Sequence, residues 1–303
     1  MSKIFVFGHK NPDTDTICSA IAYAKLKRLK NFDAQAVRLG EINPETEFAL
    51  KKFNVEIPEE MHSFEGKDVI LVDHTEIKQS ADDILKANII EIIDHHNLGD
   101  IYTRYPVFVR IEPIGSTSTI IFKMFRESNL DIDNKTAGLL LSGILSDTVI
   151  LRSVTCTDED RKIAKKLADQ LNLDLEKYGF ELKKAKSDIS SKTDRELIKS
   201  DLKIFNTINM GIGQVEIVED IDKKRKKTLL EEMEKIRKEI GCDTLLLMLT
   251  NIIKQDTELL VVGKTDLVEK AFKTKVENNR VYLKGVMSRK KQVKPAIEDA
   301  ALL

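Results

Sequence analysis

The sequence predicts an α/β protein with an N-terminal, doubly wound, mainly parallel sheet and a smaller C-terminal α+β domain joined to it by a flexible linker. Short apolar runs alternate with helical patterns over the first 186 residues, which is typical of parallel strands connected through helices. Residues 187–193 are small and mostly polar, and strand patterns follow one another beyond them. The expected domains are therefore residues 1–186 and 194–303, with a linker at 187–193.

Five apolar runs in the N-terminal domain predict strands, at residues 3–7, 35–39, 68–72, 89–93 and 107–111. Helical patterns predict a helix that starts near residue 16, capped by Asp15 or Thr16, and further helices at residues 45–53, 80–86, 115–125, 134–145, 157–172 and 175–186. Because the strands are separated by helices, their carboxyl ends are expected at one edge of the sheet.

The C-terminal domain has a different pattern. It predicts paired strands at residues 202–208 and 213–218 around a turn at 209–211, a charged helix at 223–240, and strands at 244–249, 258–262 and 280–283. The basic run at residues 223–227 lies beside glutamates on the same helix, which favours a solvated face. The basic run at residues 289–291 follows a strand and a glycine without nearby acids, which favours anion binding.

Composition excludes several classes of protein. Lys plus Arg is 49 against 50 for Asp plus Glu, and Trp is absent, so neither a basic footprint nor an aromatic platform for nucleic acid is expected. Three distant cysteines without a CxxC motif argue against a disulfide framework and a thiolate zinc site, and fit a reducing cytosol. No signal peptide or membrane span is recognisable. We expect a cytoplasmic protein without nucleic-acid or membrane partners.

Histidines and aspartates follow several of the predicted strands. Four of the five histidines come after a strand end with Asp close by: His9, His74, His95 and His96. The first loop also carries Asp13 and Asp15, although an Asx-rich turn that caps the next helix would explain these residues too. Three strand ends therefore place His and Asp side chains at the same edge of the sheet, which favours a metal site.

Two further segments of the N-terminal domain leave alternatives open. Asp147 follows a strongly apolar helix, where it either caps the next turn or points into the site, and the site is favoured. The run Gly115-Ser116-Thr117-Ser118-Thr119 opens a helix. It is suited to phosphate binding, but ordinary capping is favoured.

Carboxylates with imidazoles suit Mn²⁺, Mg²⁺, Fe²⁺ or Zn²⁺. The candidate ligands fit two ions better than one; they are His9, Asp13, Asp15, Asp73, His95 and Asp147. Two adjacent ions activate a bridging water near neutral pH and hold a phosphoryl oxygen. The residues therefore predict metal-assisted hydrolysis of a phosphoanhydride or phosphodiester.

Five motifs together carry a resemblance to a known family. In order they are Gly8-His9-Lys10-Asn11-Pro12-Asp13-Thr14-Asp15, Val72-Asp73-His74, Asp94-His95-His96, Leu145-Ser146-Asp147-Thr148 and Ser288-Arg289-Lys290-Lys291-Gln292. They resemble the DHH phosphoesterase superfamily and, more narrowly, the family II, manganese-dependent inorganic pyrophosphatases. The resemblance runs nearly from end to end of the chain.

The resemblance implies a set of metal ligands and cofactors. His9 and Asp13 would bind one ion, Asp15, His95 and Asp147 would bind the other, and Asp73 would bridge the two. It implies two Mn²⁺ per subunit, with Co²⁺ able to replace them, and additional Mg²⁺ arriving with pyrophosphate. The nucleophile would be a metal-bridging water.

The resemblance also implies substrate contacts and assembly. His96 would assist beside the substrate, with Asp94 orienting the histidines, and Lys203, Arg289 and Lys290 would hold pyrophosphate from the second domain. Lys203 has the weakest local motif, and an exposed strand lysine is the alternative. Domain closure over the substrate and a homodimer through the N-terminal domain are implied as well.

Three other functions remain open on the sequence. A DHH-type exopolyphosphatase shares the metal loops, and an oligonucleotide phosphodiesterase would need a basic, aromatic second domain that this chain lacks. A metal-binding regulatory protein without catalysis is the third, and the complete set of ligands argues against it.

Overall fold

The computed structural model describes residues 2–186, 189 and 192–302. The chain divides into two compact units, Met1–Lys186 and Ser187–Leu303. Of the linker expected at residues 187–193, positions 187, 188, 190 and 191 lie outside the described residues. Within the described part of the chain, no helix has both the length and the apolar character that a bilayer crossing requires.

Unit 1 (Met1–Lys186) is built on one parallel sheet with the strand order β3-β2-β1-β4-β5-β6. Its strands are β1 (Ile4–Phe7), β2 (Ala34–Arg38), β3 (Glu59–Glu60), β4 (Asp68–Val72), β5 (Asn88–Asp94) and β6 (Phe108–Ile111). The chain moves outward from β1 to β3 and then returns to place β4 on the other side of β1. The carboxyl ends of β1 and β4 therefore flank the point where the strand order reverses, which is where ligands bind in open α/β sheets.

The helices of unit 1 are α1 (Thr14–Leu29), α2 (Pro44–Lys52), α3 (Thr117–Glu127), α4 (Asn134–Asp147), α5 (Asp158–Leu171) and α6 (Leu175–Lys186). Asp13, rather than Asp15 or Thr16, is the N-cap of α1, because it has extended backbone and its side chain accepts from the Thr16 N–H. In the centre of the sheet, Val69, Ile70, Leu71 and Val72 of β4 are all fully buried. Since both faces of β4 are covered, polar groups are confined to its ends.

The helix predicted at residues 80–86 is wrong. The chain forms two 3₁₀ turns there, Ile77–Gln79 and Ile84–Lys86. Asp83 explains the difference, since its carboxylate accepts hydrogen bonds from the Ser63 hydroxyl and from the backbone N–H of Phe64. These bonds to a distant loop favour the irregular backbone over a continuous helix.

Unit 2 (Ser187–Leu303) contains a five-stranded sheet in the order β11-β10-β9-β8-β7. Its strands are β7 (Leu202–Phe205), β8 (Met210–Ile217), β9 (Thr244–Asn251), β10 (Asp256–Gly263) and β11 (Arg280–Lys284). Its helices are α7 (Asp194–Lys199), α8 (Lys223–Ile240), α9 (Asp266–Phe272) and α10 (Lys294–Leu302), with a π-helical turn at Arg289–Val293. Among the described residues of unit 2, only β8 and β9 pair in parallel, and α8 connects them.

The turn expected at residues 209–211 begins three residues earlier, at Asn206. β7 ends at Phe205, residues Asn206–Ile208 form a 3₁₀ turn, and β8 already begins at Met210. Asn209 adopts the left-handed conformation with φ 47°, which asparagine tolerates better than most residues. The predicted fold class is confirmed, with a parallel-sheet N-terminal unit and a smaller C-terminal sheet unit.

Candidate metal centre

The candidate ligands come from three neighbouring strand ends, the start of one helix and the end of another. His9 lies in the loop after β1, Asp73 follows β4, and His95 follows β5. Asp15 is in the first turn of α1, and Asp147 is the last residue of α4. Because β1, β4 and β5 are adjacent in the sheet, residues far apart in sequence meet at one edge.

The first group consists of His9, Asp13 and Asp73, whose ligand atoms all lie within 4.8 Å of one another. His9 Nε2 is 3.5 Å from Asp13 Oδ2 and 3.7 Å from Asp73 Oδ2. Asp13 therefore caps α1 with Oδ1 and faces His9 with Oδ2. The helix-cap explanation and the metal-site explanation of this loop are compatible.

The second group consists of Asp15, Asp73, His95 and Asp147, again with ligand atoms within 4.8 Å. His95 Nε2 is 3.5 Å from Asp73 Oδ1 and 3.3 Å from Asp147 Oδ2. Asp73 belongs to both groups and presents a different carboxylate oxygen to each. This sharing is the arrangement that two adjacent cations require.

The His95 ring is oriented as a metal ligand would be. Its Nδ1 lies 3.0 Å from the Ile114 carbonyl oxygen, which can only accept, so Nδ1 carries the hydrogen. Nε2 faces the carboxylates of Asp73 and Asp147, and in the neutral ring it would carry the lone pair that a metal ion needs. Among the described residues this buried nitrogen has no hydrogen-bond partner. A backbone carbonyl on one nitrogen and an open lone pair on the other is the usual state of a histidine ligand.

The protonation of the centre reflects crowded carboxylates. Burial, followed by the charges of Asp15 and Asp13, raises the pKa of Asp73 well above its usual range. Burial and the charge of Asp15 raise the pKa of Asp147 to about 7. Burial alone would lower the pKa of His95, but its contact with Asp147 and the charge of Asp15 raise that pKa to about 9. Without ions, the centre therefore takes up protons that limit its negative charge, and bound cations would take the place of those protons.

The triplet Asp94-His95-His96 is organised by its aspartate. Asp94 Oδ1 accepts from the backbone N–H groups of His95 and His96 at 2.8 and 3.1 Å, and from His96 Nδ1 at 2.9 Å. This fixes the His96 ring, whose side chain is half-exposed, with Nδ1 3.9 Å from Asp73 Oδ1. His74 is buried and bonds the Val72 carbonyl, outside the ligand groups found among the described residues.

Comparison with known proteins identifies the family. The N-terminal domain of the DHH family is matched by residues 3–144, and the DHHA2 domain by residues 180–300. The manganese-dependent inorganic pyrophosphatase of Bacillus subtilis is 46% identical over 306 residues, which cover 99% of each chain. This chain belongs to the manganese-dependent, family II inorganic pyrophosphatases.

Solved structures agree with this family. A Methanococcus jannaschii protein described as a family II inorganic pyrophosphatase shares 43% identity over 98% of this chain and 99% of its own, with a TM-score of 0.63. An exopolyphosphatase-related protein of Bacteroides fragilis matches 99% of this chain and 93% of its own, with a TM-score of 0.51 and 17% identity. At that identity the second likeness concerns the fold alone.

In this family II chain, the N-terminus of α3 surrounds Asp15. The Thr117 N–H donates to Asp15 Oδ2 at 2.7 Å, and the Ser116 hydroxyl and Ser118 N–H donate to Oδ1 at 3.0 and 3.1 Å. Ser116 also caps α3, as the capping alternative predicted. Sequence reasoning noticed the anion-binding character of this helix start and missed that the anion is a side chain of the same protein.

Gly143 on α4 completes this packing around Asp15. A Cβ atom at residue 143 would lie 2.4 Å from Asp15 Oδ1 and 2.2 Å from Ser118 Oγ. Only glycine leaves room for both groups. The sequence offered no signal for this role, because the position is set by the crossing of α1, α3 and α4.

The basic candidates of this family II chain lie in unit 2. The Arg289 guanidinium contacts Asp201 through the backbone oxygen and, at 3.0 Å, through Oδ1. It thereby reaches the start of β7, the strand that carries Lys203. The side chains of Lys203 and Lys290 are exposed.

Two glutamines that sequence reasoning missed hold the segment around Arg289. Gln214 accepts from the Arg289 N–H at 3.1 Å and donates to the Met287 carbonyl at 2.9 Å. Gln292 accepts from the backbone N–H groups of Met287 and Ser288. Gln292 stands in the motif that carried the resemblance, whereas nothing in the sequence singled out Gln214.

Proposed function

We propose that this chain hydrolyses inorganic pyrophosphate to two phosphates at a centre that binds two Mn²⁺ ions. The observation that carries the proposal is Asp73, which presents one oxygen to His9 and the other to His95. Membership of the manganese-dependent inorganic pyrophosphatases supports both the substrate and the metal. We place the enzyme in the cytoplasm.

The residues present fit two divalent cations. His9, Asp13 and Asp73 would hold one ion, and Asp15, Asp73, His95 and Asp147 would hold the other. The Nε2 of His95, for which the described residues provide no hydrogen bond, supports this assignment, as do the oxygen and nitrogen donors, which suit Mn²⁺ and permit Co²⁺. When bound, two such ions make hydroxide available near neutral pH and neutralise charge on phosphoryl oxygens, and additional Mg²⁺ accompanies the substrate.

His96 is proposed to act on the substrate itself. Its Nδ1 is engaged by Asp94, so Nε2 is the nitrogen available to a phosphate oxygen. The hydrogen bond to Asp94 raises the pKa of His96, which favours the protonated ring. A protonated Nε2 donates a hydrogen bond to an anionic oxygen and stabilises charge that develops there.

Lys203, Arg289 and Lys290 are proposed to bind pyrophosphate. A guanidinium recognises phosphate oxygens through two parallel hydrogen bonds, whereas an ammonium acts as a point charge. Arg289 is positioned by Asp201 and by Gln214, so its geometry is already defined in the protein. The two lysines, with exposed side chains, add positive charge.

The first prediction concerns substrate choice. With Mn²⁺, purified protein should release phosphate from pyrophosphate faster, by orders of magnitude, than from long-chain polyphosphate or from a dinucleotide, because the cationic groups match a small, highly charged phosphoanhydride. Phosphate release is measured for all three substrates with Mn²⁺, with Mg²⁺ and after chelation. Faster release from polyphosphate would instead support an exopolyphosphatase, and faster cleavage of the dinucleotide would support a phosphodiesterase.

A homodimer through unit 1 is also proposed. β6 is an edge strand of the sheet, and its Phe108 and Val109 side chains are 50% and 48% exposed. Tyr102 and Tyr105 in the preceding loop are exposed too. An unpaired strand edge with apolar side chains suits pairing with the same strand of a second copy, which satisfies the backbone groups of both.

The second prediction tests this edge. Changing Phe108 to Glu together with Val109 to Lys should convert the dimer to a monomer, because charges would be placed in the paired edge. Sedimentation velocity over a range of concentrations measures the change. The matched control is Ile57→Glu, since Ile57 is equally exposed and lies next to β3 at the opposite edge. A wild-type monomer, or dissociation by the control alone, would exclude the proposed interface.

A further inference from the structure

We propose that Thr16 and Thr117 are positioning residues that divide the Asp73 carboxylate between the two metal positions, Thr16 on the side of His9 and Thr117 on the side of His95. This inference rests on the two-metal function proposed above. It assigns each threonine to one ion, so it makes different predictions for the two residues.

Thr16 holds one oxygen of the shared carboxylate. Its hydroxyl donates to Asp73 Oδ2 at 2.6 Å, and the residue is buried in the first turns of α1. The same oxygen lies 3.7 Å from His9 Nε2. Thr16 therefore acts on the oxygen that faces the first ligand group.

Thr117 holds the other oxygen. Its hydroxyl donates to Asp73 Oδ1 at 2.9 Å, while its backbone N–H donates to Asp15 Oδ2 at 2.7 Å. Oδ1 lies 3.5 Å from His95 Nε2. Thr117 is fully buried and joins two carboxylates of the second ligand group, so its hydroxyl acts on that group.

The two hydroxyls together fix the rotation of the carboxylate. The terminal torsion of an aspartate is soft, so the carboxylate plane is not set by its rotamer alone. Each ionised oxygen can accept about two hydrogen bonds or cations. With one lone pair of each oxygen occupied by a threonine, the other is directed at one ligand group. Loss of one hydroxyl would release one oxygen and leave the other held.

The surrounding backbone keeps this geometry in place. A Cβ atom at residue 8 would lie 2.4 Å from Thr16 Cγ2, so Gly8 lets the loop after β1 pack against the Thr16 methyl. Asp73 itself adopts φ 62°, a left-handed conformation that aspartate tolerates. Its N–H donates to the Ile93 carbonyl at 2.9 Å, which ties the residue to the end of β5. The carboxylate therefore enters the centre at a fixed point between the two threonines.

The experiment compares Thr16→Val and Thr117→Val, which remove the hydroxyls and keep the shape. In Thr16→Val, the apparent Mn²⁺ dissociation constant at the position of His9 and Asp13 should rise about ten- to a hundredfold, the usual cost of changing an outer partner of a ligand. The other position should be unchanged. Thr117→Val should show the reverse. Thr16→Ser and Thr117→Ser should restore wild-type binding, because serine keeps the hydroxyl.

Thr119→Val is the matched control. The Thr119 hydroxyl is buried in the same helix as Thr117 and donates at 2.6 Å to Asp160, a carboxylate outside both ligand groups. Its loss should lower the unfolding temperature measured in chelator much as the other two valine variants do. Mn²⁺ binding at both positions should remain that of the wild type, which separates positioning from general loss of stability.

Occupancy of each position is measured by anomalous scattering at the manganese edge, on crystals equilibrated over a series of Mn²⁺ concentrations. The inference is overturned if either valine variant weakens both positions equally, if neither variant changes the occupancies, or if Thr119→Val has the same effect. The proposed function would stand, and this inference alone would be overturned, by one combination of results. In that case the wild type fills both positions and hydrolyses pyrophosphate, but neither valine variant affects one position more than the other. Wild-type crystals without manganese at either position would overturn both.

Discussion

Asp73→Asn is expected to abolish pyrophosphate hydrolysis and to weaken Mn²⁺ binding at both positions by more than about a hundredfold. Asp73 is the residue that belongs to both ligand groups, and even a change in an outer partner of a ligand costs about ten- to a hundredfold in affinity. Asparagine is chosen because it tolerates the left-handed backbone of residue 73, where alanine would add strain.

The same substitution should have the opposite effect on the protein without metal. Burial and neighbouring charges raise the pKa of Asp73 in the folded state. The folded state of such an acid binds more protons than the unfolded state, so stability falls as the pH rises from the unfolded pKa toward the folded pKa. Near neutral pH, the burial of this acid therefore costs folding free energy in the protein without metal, and asparagine removes that cost.

The wild type and the Asp73→Asn variant should therefore reverse their order of unfolding temperature when Mn²⁺ is added. In chelator, the Asn variant should unfold at the same temperature as the wild type or higher. With free Mn²⁺ at about a hundred times its dissociation constant, each occupied position should stabilise the wild type by about 2.7 kcal/mol, and the variant should gain little. Thermal unfolding in both conditions, with metal content measured after dialysis, tests this. A variant that retains two tightly bound ions would exclude the shared role of Asp73.

Arg289→Ala is expected to lower kcat/KM for pyrophosphate by about a hundred- to a thousandfold, the usual loss when one donor to a developing charge is removed. Mn²⁺ binding should remain at wild-type levels, because Arg289 lies in unit 2 and the ligand groups lie in unit 1. Arg289→Lys should recover only part of the loss, since lysine cannot make the paired hydrogen bonds of a guanidinium.

Lys291→Ala is the control for Arg289. Lys291 belongs to the same basic run and its side chain is exposed, but no substrate contact is proposed for it. Steady-state kinetics and metal content of the variants are compared with their unfolding temperatures, because Arg289 also bonds Asp201 and Ile212. Loss of bound manganese in Arg289→Ala, or an equal loss of activity in Lys291→Ala, would contradict the proposed role.

Much of the candidate site could be predicted because its ligand-type side chains follow the ends of strands. The alternation of strands and helices predicts that His9, Asp73 and His95 share one sheet edge, and the structure brings them together there. The division of ligands between two ions rests on the family resemblance alone. It remains a proposal, although two of the three groups found around Asp73 among the described residues, those without His96, contain the same residues.

What could not be predicted depends on close packing between distant segments. Thr117 and Gly143 contact Asp15 only because α3 and α4 cross α1, and single-sequence patterns do not encode that crossing. After Asp147, residues Val149, Ile150 and Leu151 all adopt positive φ, at 49°, 54° and 61°. Branched side chains strongly disfavour this conformation. A turn without glycine at that point contradicts local preference, so only the complete fold reveals it.

The order of the strands in the sheet determines when manganese can take part in folding. The six proposed ligand side chains are spread over residues 9–147 and meet only when β1, β4 and β5 lie side by side. Parallel pairing of such distant segments is slow, because the loops must close before any contact forms. An unfolded chain therefore has no preformed site to attract the ions. On the proposed ligand set, manganese would stabilise the finished domain and would not act as a template for its assembly.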